Sequence, residues 1–321
     1  MLSTSLATKK AGIVAYILAV LATNRRGGFT ASTLKAACAG AEEIEGVETE
    51  IVCLARFDFK PCLSSFWCAR NQGQGCILPD DMGHKGDGSL FARVRRANGL
   101  LLATPVHTWG PSSLAHMFWE RLYPFLYSDG LNGLPFGSMA CATNQGFQRQ
   151  AVEEMAKWAF CRGVRYLGDV AAHVIDREAV MEQARLLGRR VGEAAMRDQN
   201  EGRQKFTDEE KFAFYRDKPY RVLDPYLDNV TEGTFSIPGS LPERGGREFT
   251  QDEARELAQK AAAEFAQALE LRGSDEEAAH QALMRASAFW TRATWRQYVE
   301  AFISKRDDVE PYRQLPAGEN P

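Results

Sequence analysis

The chain has 321 residues, of which 45% are hydrophobic and 25% are charged, so it can bury one large core or two smaller ones. Its formal net charge of -3 argues against binding to nucleic acid or to an anionic membrane surface, because both need clustered Lys and Arg. Seven cysteines, an odd number in a chain of this length, do not suggest a secreted disulfide framework. We therefore expect a globular cytoplasmic protein with reduced thiols.

The first apolar run, residues 11–22, allows two interpretations. Lys9 and Lys10 followed by AGIVAYILAVLA resemble the charged and apolar regions of a signal peptide. The run is shorter than the roughly 20 residues that a membrane-spanning helix needs, and the following TNRRGGFT is not a small-residue cleavage site. Because a helical pattern and another apolar run come next, we predict the buried first strand of a β-α-β unit.

Short apolar runs then alternate with amphipathic stretches. Strands are predicted at 11–22, 48–54, 99–104, 136–142 and 166–170. Helices are predicted at 30–45, 87–97, 111–126, 146–162 and 175–198. This alternation predicts an α/β fold with a doubly wound, five-stranded parallel sheet covered on both faces. Ligands of such sheets bind at the carboxyl ends of the strands, where we expect the functional residues.

Polar loops follow three of these strands. ATNRRGGFTAST (22–33) combines a Gly-Gly turn, hydroxyls, two arginines and a helix N-terminus, which suits an anion but also fits an ordinary connection with a Thr N-cap. TPVHTWGPSS (104–113) contains Trp109, which either covers a flat ring or packs in the core or at an interface. TNQGFQRQ (143–150) either hydrogen-bonds a heterocycle edge or simply begins a helix. Three such loops at one sheet edge favour a ligand site.

Three segments together resemble the NADPH-dependent FMN reductase family, including its iron-sulfur flavoprotein branch. ATNRRGGFT is similar to the family form GSPR-x-GGNT, and PCLSSFWC…CILPDDM to PC-x-GC-x-x-C followed by Cys and DDM. ANGLLLATPVHTWGPSSLAHMFWERL is similar to ADG-(apolar)-SPVY and the helix that follows it. Order and spacing agree from residue 11 to about 170, roughly half of the chain. The resemblance implies a flavodoxin-like fold.

The resemblance also implies an FMN-dependent oxidoreductase. FMN would take a hydride from NADPH or NADH and pass electrons to a small acceptor, such as a flavin, a quinone, or a nitro- or azo-aromatic compound. The implied assembly is a homodimer or a higher homo-oligomer. The implied cofactor contacts are Thr23, Arg25, Arg26, Phe29, Thr30, Pro105, Val106, His107, Thr108, Trp109, Thr143, Asn144, Gln145 and Gly146. The alternatives are an electron-transfer iron-sulfur flavoprotein and a non-catalytic partner-binding protein that kept the fold.

Several residues depart from the family pattern. His107 stands where the family often has Tyr beside the isoalloxazine, which makes it the candidate catalytic residue. Its imidazole either donates a hydrogen bond to the flavin or the substrate, or protonates a reduced product. The third alternative is a neutral imidazole that lies behind the residues in contact with the ligand. Asn24 replaces the proline and Phe29 the asparagine of the phosphate loop, so the loop either holds the phosphate less tightly or relies more on Arg25.

The cysteine run is incomplete. It keeps three cysteines, Cys62, Cys68 and Cys76. Ser65 stands where the family has another, and a [4Fe-4S] cluster takes four thiolates. A cluster with a fourth non-Cys ligand, a zinc site that borrows His84, and thiols that act as small buried hydrophobes are the open alternatives. We expect no metal, because serine replaces a thiolate poorly, and we expect Asp80 and Asp81 to orient the loop.

The resemblance ends near residue 200. The polar stretch RDQNEGRQKFTDEEK predicts a boundary, so we divide the chain into an FMN-binding domain, 1–198, and a mainly helical extension, 199–321. Amphipathic helices are predicted within 251–273 and 274–306. They either pack on the flavin domain or across a dimer, or form a separate binding module. We expect the segment from Tyr215 to Phe235 to line the substrate entrance.

Overall fold

A computed structural model of the chain describes residues 14–25, 27–83, 88–143, 146–216 and 241–300. The chain forms two compact units. The first consists of Met1–Pro61 and Gln72–Lys205, and the second of Cys62–Asn71 and Phe206–Pro321. The boundary after residue 198 stays a prediction, and the grouping of residues 62–71 with the C-terminal residues was not expected from the sequence.

The first unit contains a sheet of parallel strands. Its strands are β1 (Ala15–Leu21), β2 (Val47–Cys53), β3 (Gly99–His107), β4 (Gly110–Pro111), β5 (Pro135–Ala142) and β6 (Arg165–His173). The order is β2-β1-β3-β5-β6, and the two-residue β4 pairs with the end of β3 in antiparallel fashion. All of β1 except half-buried Tyr16 is buried, as is expected of a central strand covered on both faces. The predicted doubly wound sheet is confirmed, and β4 is an additional short strand.

The helices described, in chain order, are α1 (Phe29–Glu42), α2 (Trp67–Arg70), α3 (Ser89–Arg96), α4 (Ser113–Glu120), α5 (Tyr123–Leu126), α6 (Gln148–Arg162), α7 (Arg177–Glu201), α8 (Asp208–Arg216), α9 (Leu241–Glu248), α10 (Asp252–Leu271) and α11 (Glu276–Thr294). Short 3₁₀ turns lie at Leu54–Arg56 and Val174–Asp176, and a π-helical turn at Trp295–Glu300 follows α11. None of these helices is both long and apolar enough to cross a membrane.

Helices α1 and α7 cover one face of the sheet. Ile17, Leu101 and Met139 from the central strands are buried there in one apolar cluster with residues of both helices. The helices approach closely at Gly40 and Gly188, because a Cβ at either position would overlap the backbone of the other helix. Buried residues of α3, α4 and α6 lie outside this cluster and cover the opposite face.

The predicted helix 111–126 was wrong in one respect, because the structure divides it into α4 and α5. Pro124 lies in the first turn of α5. Proline has no backbone N–H to donate and its ring clashes with the preceding turn, so a continuous helix ends before it. The remaining predicted helices of the first unit agree with α1, α3, α6 and α7 to within a few residues.

The second unit is mainly helical, as predicted. Its largest element is the pair α10 and α11, whose contact surface is rich in alanine and contains Phe265 and Leu283. Small side chains let two helices approach closely, and the two larger ones fill the space between them. Of the predicted entrance segment, Tyr215 belongs to this unit and is fully buried. Residues 217–240 and those beyond 300 lie outside the described part.

Candidate functional site

A cavity of about 380 Å³ lies at the carboxyl ends of β1, β3 and β5. The residues around it are Thr23, Arg25, Gly27, Gly28, Phe29, Thr30, Pro105, Val106, His107, Thr108, Trp109, Cys141, Ala142, Thr143, Gly146 and Phe147. The structure thus brings together the three loops that the sequence singled out, because the ends of parallel strands meet at one edge of the sheet. Arg26, Asn144 and Gln145 lie outside the described residues.

The first loop presents an open helix N-terminus to this cavity. Gly28 occupies the N-cap position with φ of 118° and ψ of -173°, which side chains rarely allow. No side chain caps α1 and its first turn contains no acidic residue, so the alternative of a Thr N-cap is wrong. The first backbone N–H groups of a helix have no partner within the helix. They are therefore available to an anion, next to Arg25.

A neutral thiol forms part of the cavity wall behind this loop. Cys141, at the end of β5, is 4% exposed. Burial raises the pKa of this thiol to about 11, although hydrogen bonds with Thr33 and Thr30 act in the opposite direction. Cys141 therefore stays protonated near neutral pH and adds no charge to the cavity. The sequence did not identify it as a site residue.

The second loop is a tight hairpin. Strand β3 continues to His107, turns through Thr108 and Trp109, and returns as β4, with Val106 opposite Pro111. Thr108 and Trp109 have φ of 50° and 67°. Left-handed backbone at both central residues is characteristic of a type I′ turn, which normally carries Asn-Gly. Because Thr-Trp lacks that signature, the sequence predicted a strand that ends at residue 104.

A buried pair of hydroxyls anchors the hairpin to β1. The backbone N–H of Ser112 donates to Oγ1 of Thr104 at 2.9 Å, and Oγ of Ser112 donates to the carbonyl of Ala22 at 2.7 Å. Ser112 is also the N-cap of α4, where its side chain accepts from the N–H of Ala115. Both hydroxyl residues are buried. This network joins the hairpin to the beginning of the first loop, and sequence reasoning missed it.

The third loop contributes an aromatic ring that was not predicted. Phe147, the N-cap residue of α6, has φ of 65° and lines the cavity beside Gly146. Its ring stacks on that of Trp109, with 4.8 Å between the centroids and 17° between the planes. The available signal was an aromatic residue after glycine in a strand-end loop, but nothing local indicates which ring it meets.

The cysteine run is divided between the two units. Cys62 and Cys68 belong to the second unit and Cys76 to the first. Among the described residues, no three His, Cys, Asp or Glu side chains are grouped as a metal site requires, and His84 lies outside them. The absence of a cluster stays a prediction.

The two aspartates after this run hold the loop in place, as expected. Asp80 accepts two hydrogen bonds from the guanidinium of Arg121, at 2.8 and 2.9 Å. Its carboxylate also accepts from the backbone N–H groups of Lys60 and Met82. Asp81 accepts from the hydroxyl of Ser89 at 2.7 Å. These bonds connect the loop to the end of α4 and the beginning of α3.

The sheet order is that of a flavodoxin-like protein. The candidate site lies at the topological switch point of the sheet, where a glycine turn follows β1 and aromatic and polar loops follow β3 and β5. The model of the NADPH-dependent FMN reductase family matches residues 15–175, half of the chain. The chain belongs to this family, so the resemblance in the sequence is confirmed.

Three similar proteins share between 18% and 25% sequence identity with this chain. An iron-sulfur flavoprotein of Methanocaldococcus jannaschii is 25% identical over 126 residues, which are 39% of this chain and 62% of the flavoprotein. A solved flavone reductase is 18% identical with a TM-score of 0.43, over 60% of this chain and 66% of its own. An NAD(P)H:quinone oxidoreductase from Methanothermobacter marburgensis is 19% identical with a TM-score of 0.42, over 55% of this chain and 95% of its own.

Proposed function

We propose that the protein is an FMN-dependent oxidoreductase that passes electrons from NADPH or NADH to a small acceptor: a free flavin, a quinone, or a nitro- or azo-aromatic compound. We further propose that it works in the cytoplasm as a homodimer or higher homo-oligomer. The observation that carries the proposal is the cavity, which combines an uncapped helix N-terminus, an arginine and two aromatic rings in a chain of this family.

One end of the cavity suits the FMN phosphate. The uncapped N-terminus of α1 offers backbone donors and the positive end of the helix dipole. Arg25 adds a cation, and Thr23 and Thr30 add hydroxyls around the same space. In this proposal these residues bind and orient the phosphate.

The other end suits a flat ring. Pro105, Val106 and Thr143 supply polar backbone and side-chain groups for the edge of a heterocycle, and Trp109 supplies an aromatic face. The volume, about 380 Å³, lies within the range of roughly 300–1,000 Å³ usual for small-molecule sites. FMN bound here would supply the redox chemistry, by accepting a hydride from the nicotinamide and returning electrons to the acceptor.

In this proposal His107 transfers a proton to the acceptor. It lies exposed at the end of β3, directly before the turn. An imidazole nitrogen can both accept and donate a proton, so His107 can take up a proton at the cavity and give it to the reduced acceptor.

A second candidate is an electron-transfer iron-sulfur flavoprotein, which the relative from Methanocaldococcus favours. Ser65 argues against this candidate, because it stands where the family has a further cysteine and a [4Fe-4S] cluster takes four thiolates. Iron and acid-labile sulfide in anaerobically purified protein would support this candidate. We expect neither, and we expect the Cys62→Ser and Cys76→Ser variants to retain the flavin.

The test begins with purified protein titrated with FMN and then, without oxygen, with NADPH. We expect about one FMN per chain and bleaching of the oxidised flavin absorbance on addition of NADPH. Arg25→Glu should weaken FMN binding at least about tenfold, because it places a negative charge next to the phosphate. Arg95→Glu, which changes an exposed arginine of α3 outside the cavity lining, is the matched control. Failure of the wild type to bind FMN would overturn the proposal.

A further inference from the structure

Trp109 and Phe147 both line the cavity, and their rings stack on each other. They come from different elements, the β3–β4 turn and the beginning of α6. Their rings are nearly parallel, with centroids 4.8 Å apart. Yet Trp109 is 58% exposed and Phe147 39% exposed, so much of this surface faces open space. Large aromatic rings that stay exposed around a cavity are typical of a binding surface.

The backbone beneath both rings is in a conformation that favours glycine. Trp109 has φ of 67° and Phe147 has φ of 65°. Bulky side chains are disfavoured in this left-handed region, because the Cβ approaches the following carbonyl. The chain nevertheless holds an aromatic residue at each position, and the two side chains meet. An observed strain of this kind at a cavity is a reason to assign the residues a function.

We propose that a planar aromatic acceptor stacks on the ring of Phe147, which the stack with Trp109 holds in place, and that Phe147 thereby determines acceptor specificity. This inference rests on the proposed function and names the class of its second substrate. The two rings already hold each other in place, so stacking of a third ring costs little additional ordering. Acceptors without a flat ring gain nothing from this surface.

The charged residues that line the cavity restrict the class of electron acceptor further. Among the described lining residues there is no carboxylate, whereas Arg25 and His107 are present. Helix α6 begins directly after Phe147, and neither a side-chain cap nor an acidic residue is present in its first turn. The partial positive charge of this helix end suits carbonyl or nitro oxygens of a ligand stacked nearby. The surface therefore selects neutral or anionic electron-poor rings, such as quinones and nitroaromatics, over cationic ones.

The test measures binding of 1,4-naphthoquinone to the oxidised protein by calorimetry, without any reductant. Phe147→Leu keeps an apolar side chain but removes the ring, and it should weaken binding about three- to tenfold. Phe147→Tyr should restore it. Tyr123→Leu is the matched control, because Tyr123 is equally exposed, at 39%, and does not line the cavity. In steady-state assays, the ratio of KM for naphthoquinone to KM for ferricyanide should rise by the same factor in Phe147→Leu.

The outcomes separate this inference from the proposed function. Unchanged naphthoquinone binding in a folded Phe147→Leu protein, or an equal loss in Tyr123→Leu, would overturn the role of Phe147 and leave the proposed function intact. A protein that takes up no FMN would overturn the proposed function. In that case the calorimetric comparison of the variants would still decide whether Phe147 binds planar rings.

Discussion

Arg121 is 1% exposed, and the carboxylate that neutralises it is nearly as deeply buried. The side chain of Asp80 is 5% exposed and receives two hydrogen bonds from the guanidinium. Arg121 also donates to the carbonyl of Lys60 at 2.5 Å. Burial by itself would raise the pKa of Asp80, but the hydrogen bonds and charge of Arg121 outweigh it and hold the pKa below its usual range. Removing either partner leaves an uncompensated buried group.

We predict that Asp80→Asn lowers the free energy of unfolding by about 3–5 kcal/mol, because the guanidinium stays charged and buried. Chemical denaturation measures this loss. Glu182→Gln is the control, since Glu182 pairs with Arg185 while 56% exposed, and solvent screens such a surface pair, so the loss should be much smaller.

The pair of Asp80 and Arg121 also predicts that the stability of the fold depends on pH. A carboxylate whose pKa is lower in the folded state stabilises the fold at pH values above its unfolded pKa of about 4, and this contribution is lost as the pH falls through the folded pKa. The wild-type protein should therefore lose stability below about pH 4, and Asp80→Asn should lack this component. Parallel acid curves for the two proteins would contradict the assignment.

Among the elements, the β3–β4 hairpin depends on a neighbour that is distant in the chain. Ser112 connects it to Ala22, at the end of β1, and caps α4 at the same time. The hairpin and the first loop both line the cavity. The hydroxyl of Ser112 therefore connects two segments of the cavity lining.

We predict that Ser112→Ala costs about 1–3 kcal/mol of stability, because it removes a helix cap and leaves a buried carbonyl unpaired. FMN affinity should fall as well, since a hydrogen bond between the hairpin and the beginning of the first loop is lost. Ser128→Ala, which removes an exposed hydroxyl bonded to Pro124, should change neither property noticeably. If Ser112→Ala bound FMN as tightly as the wild type, the network would contribute to the stability of the fold but not to FMN binding.

For the whole molecule, the two units suggest a different truncation point from the predicted boundary after residue 198. Helix α7 continues to Glu201, and Arg203 donates to the carbonyls of Gly130 and Ala97, all within the first unit. Lys205 also pairs with Asp129. A chain that ends at Lys205 keeps these contacts, whereas one that ends at Asp198 loses them.

We predict that truncation after Lys205 leaves FMN binding largely intact but lowers solubility or the stability of the oligomer and changes acceptor preference. The segment 62–71 belongs to the second unit and would lose the rest of that unit. Exposed apolar surface favours association. Light scattering and an acceptor profile measure these effects. A truncated protein with unchanged oligomeric state and profile would instead make residues 206–321 an independent module.

Much of the fold and part of the site could be predicted from local patterns. The apolar run at the beginning of the chain predicted β1, and the glycines and threonine after it predicted the loop at its end. Strand periodicity and glycine turns are properties of neighbouring residues, so a sequence carries them directly. The rule that parallel strands end at one edge then predicted that Thr23, His107 and Thr143 lie close together, and they line one cavity.

Only the tertiary structure decided which distant side chains meet. Phe147 stacks on Trp109, Ser112 reaches Ala22, and Arg121 pairs with Asp80 across 41 residues of chain. The turn at Thr108 and Trp109 lacks the Asn-Gly signature of its type, so no local pattern predicted its left-handed backbone. Such contacts depend on register and on the close packing of elements, which no local pattern in one sequence determines.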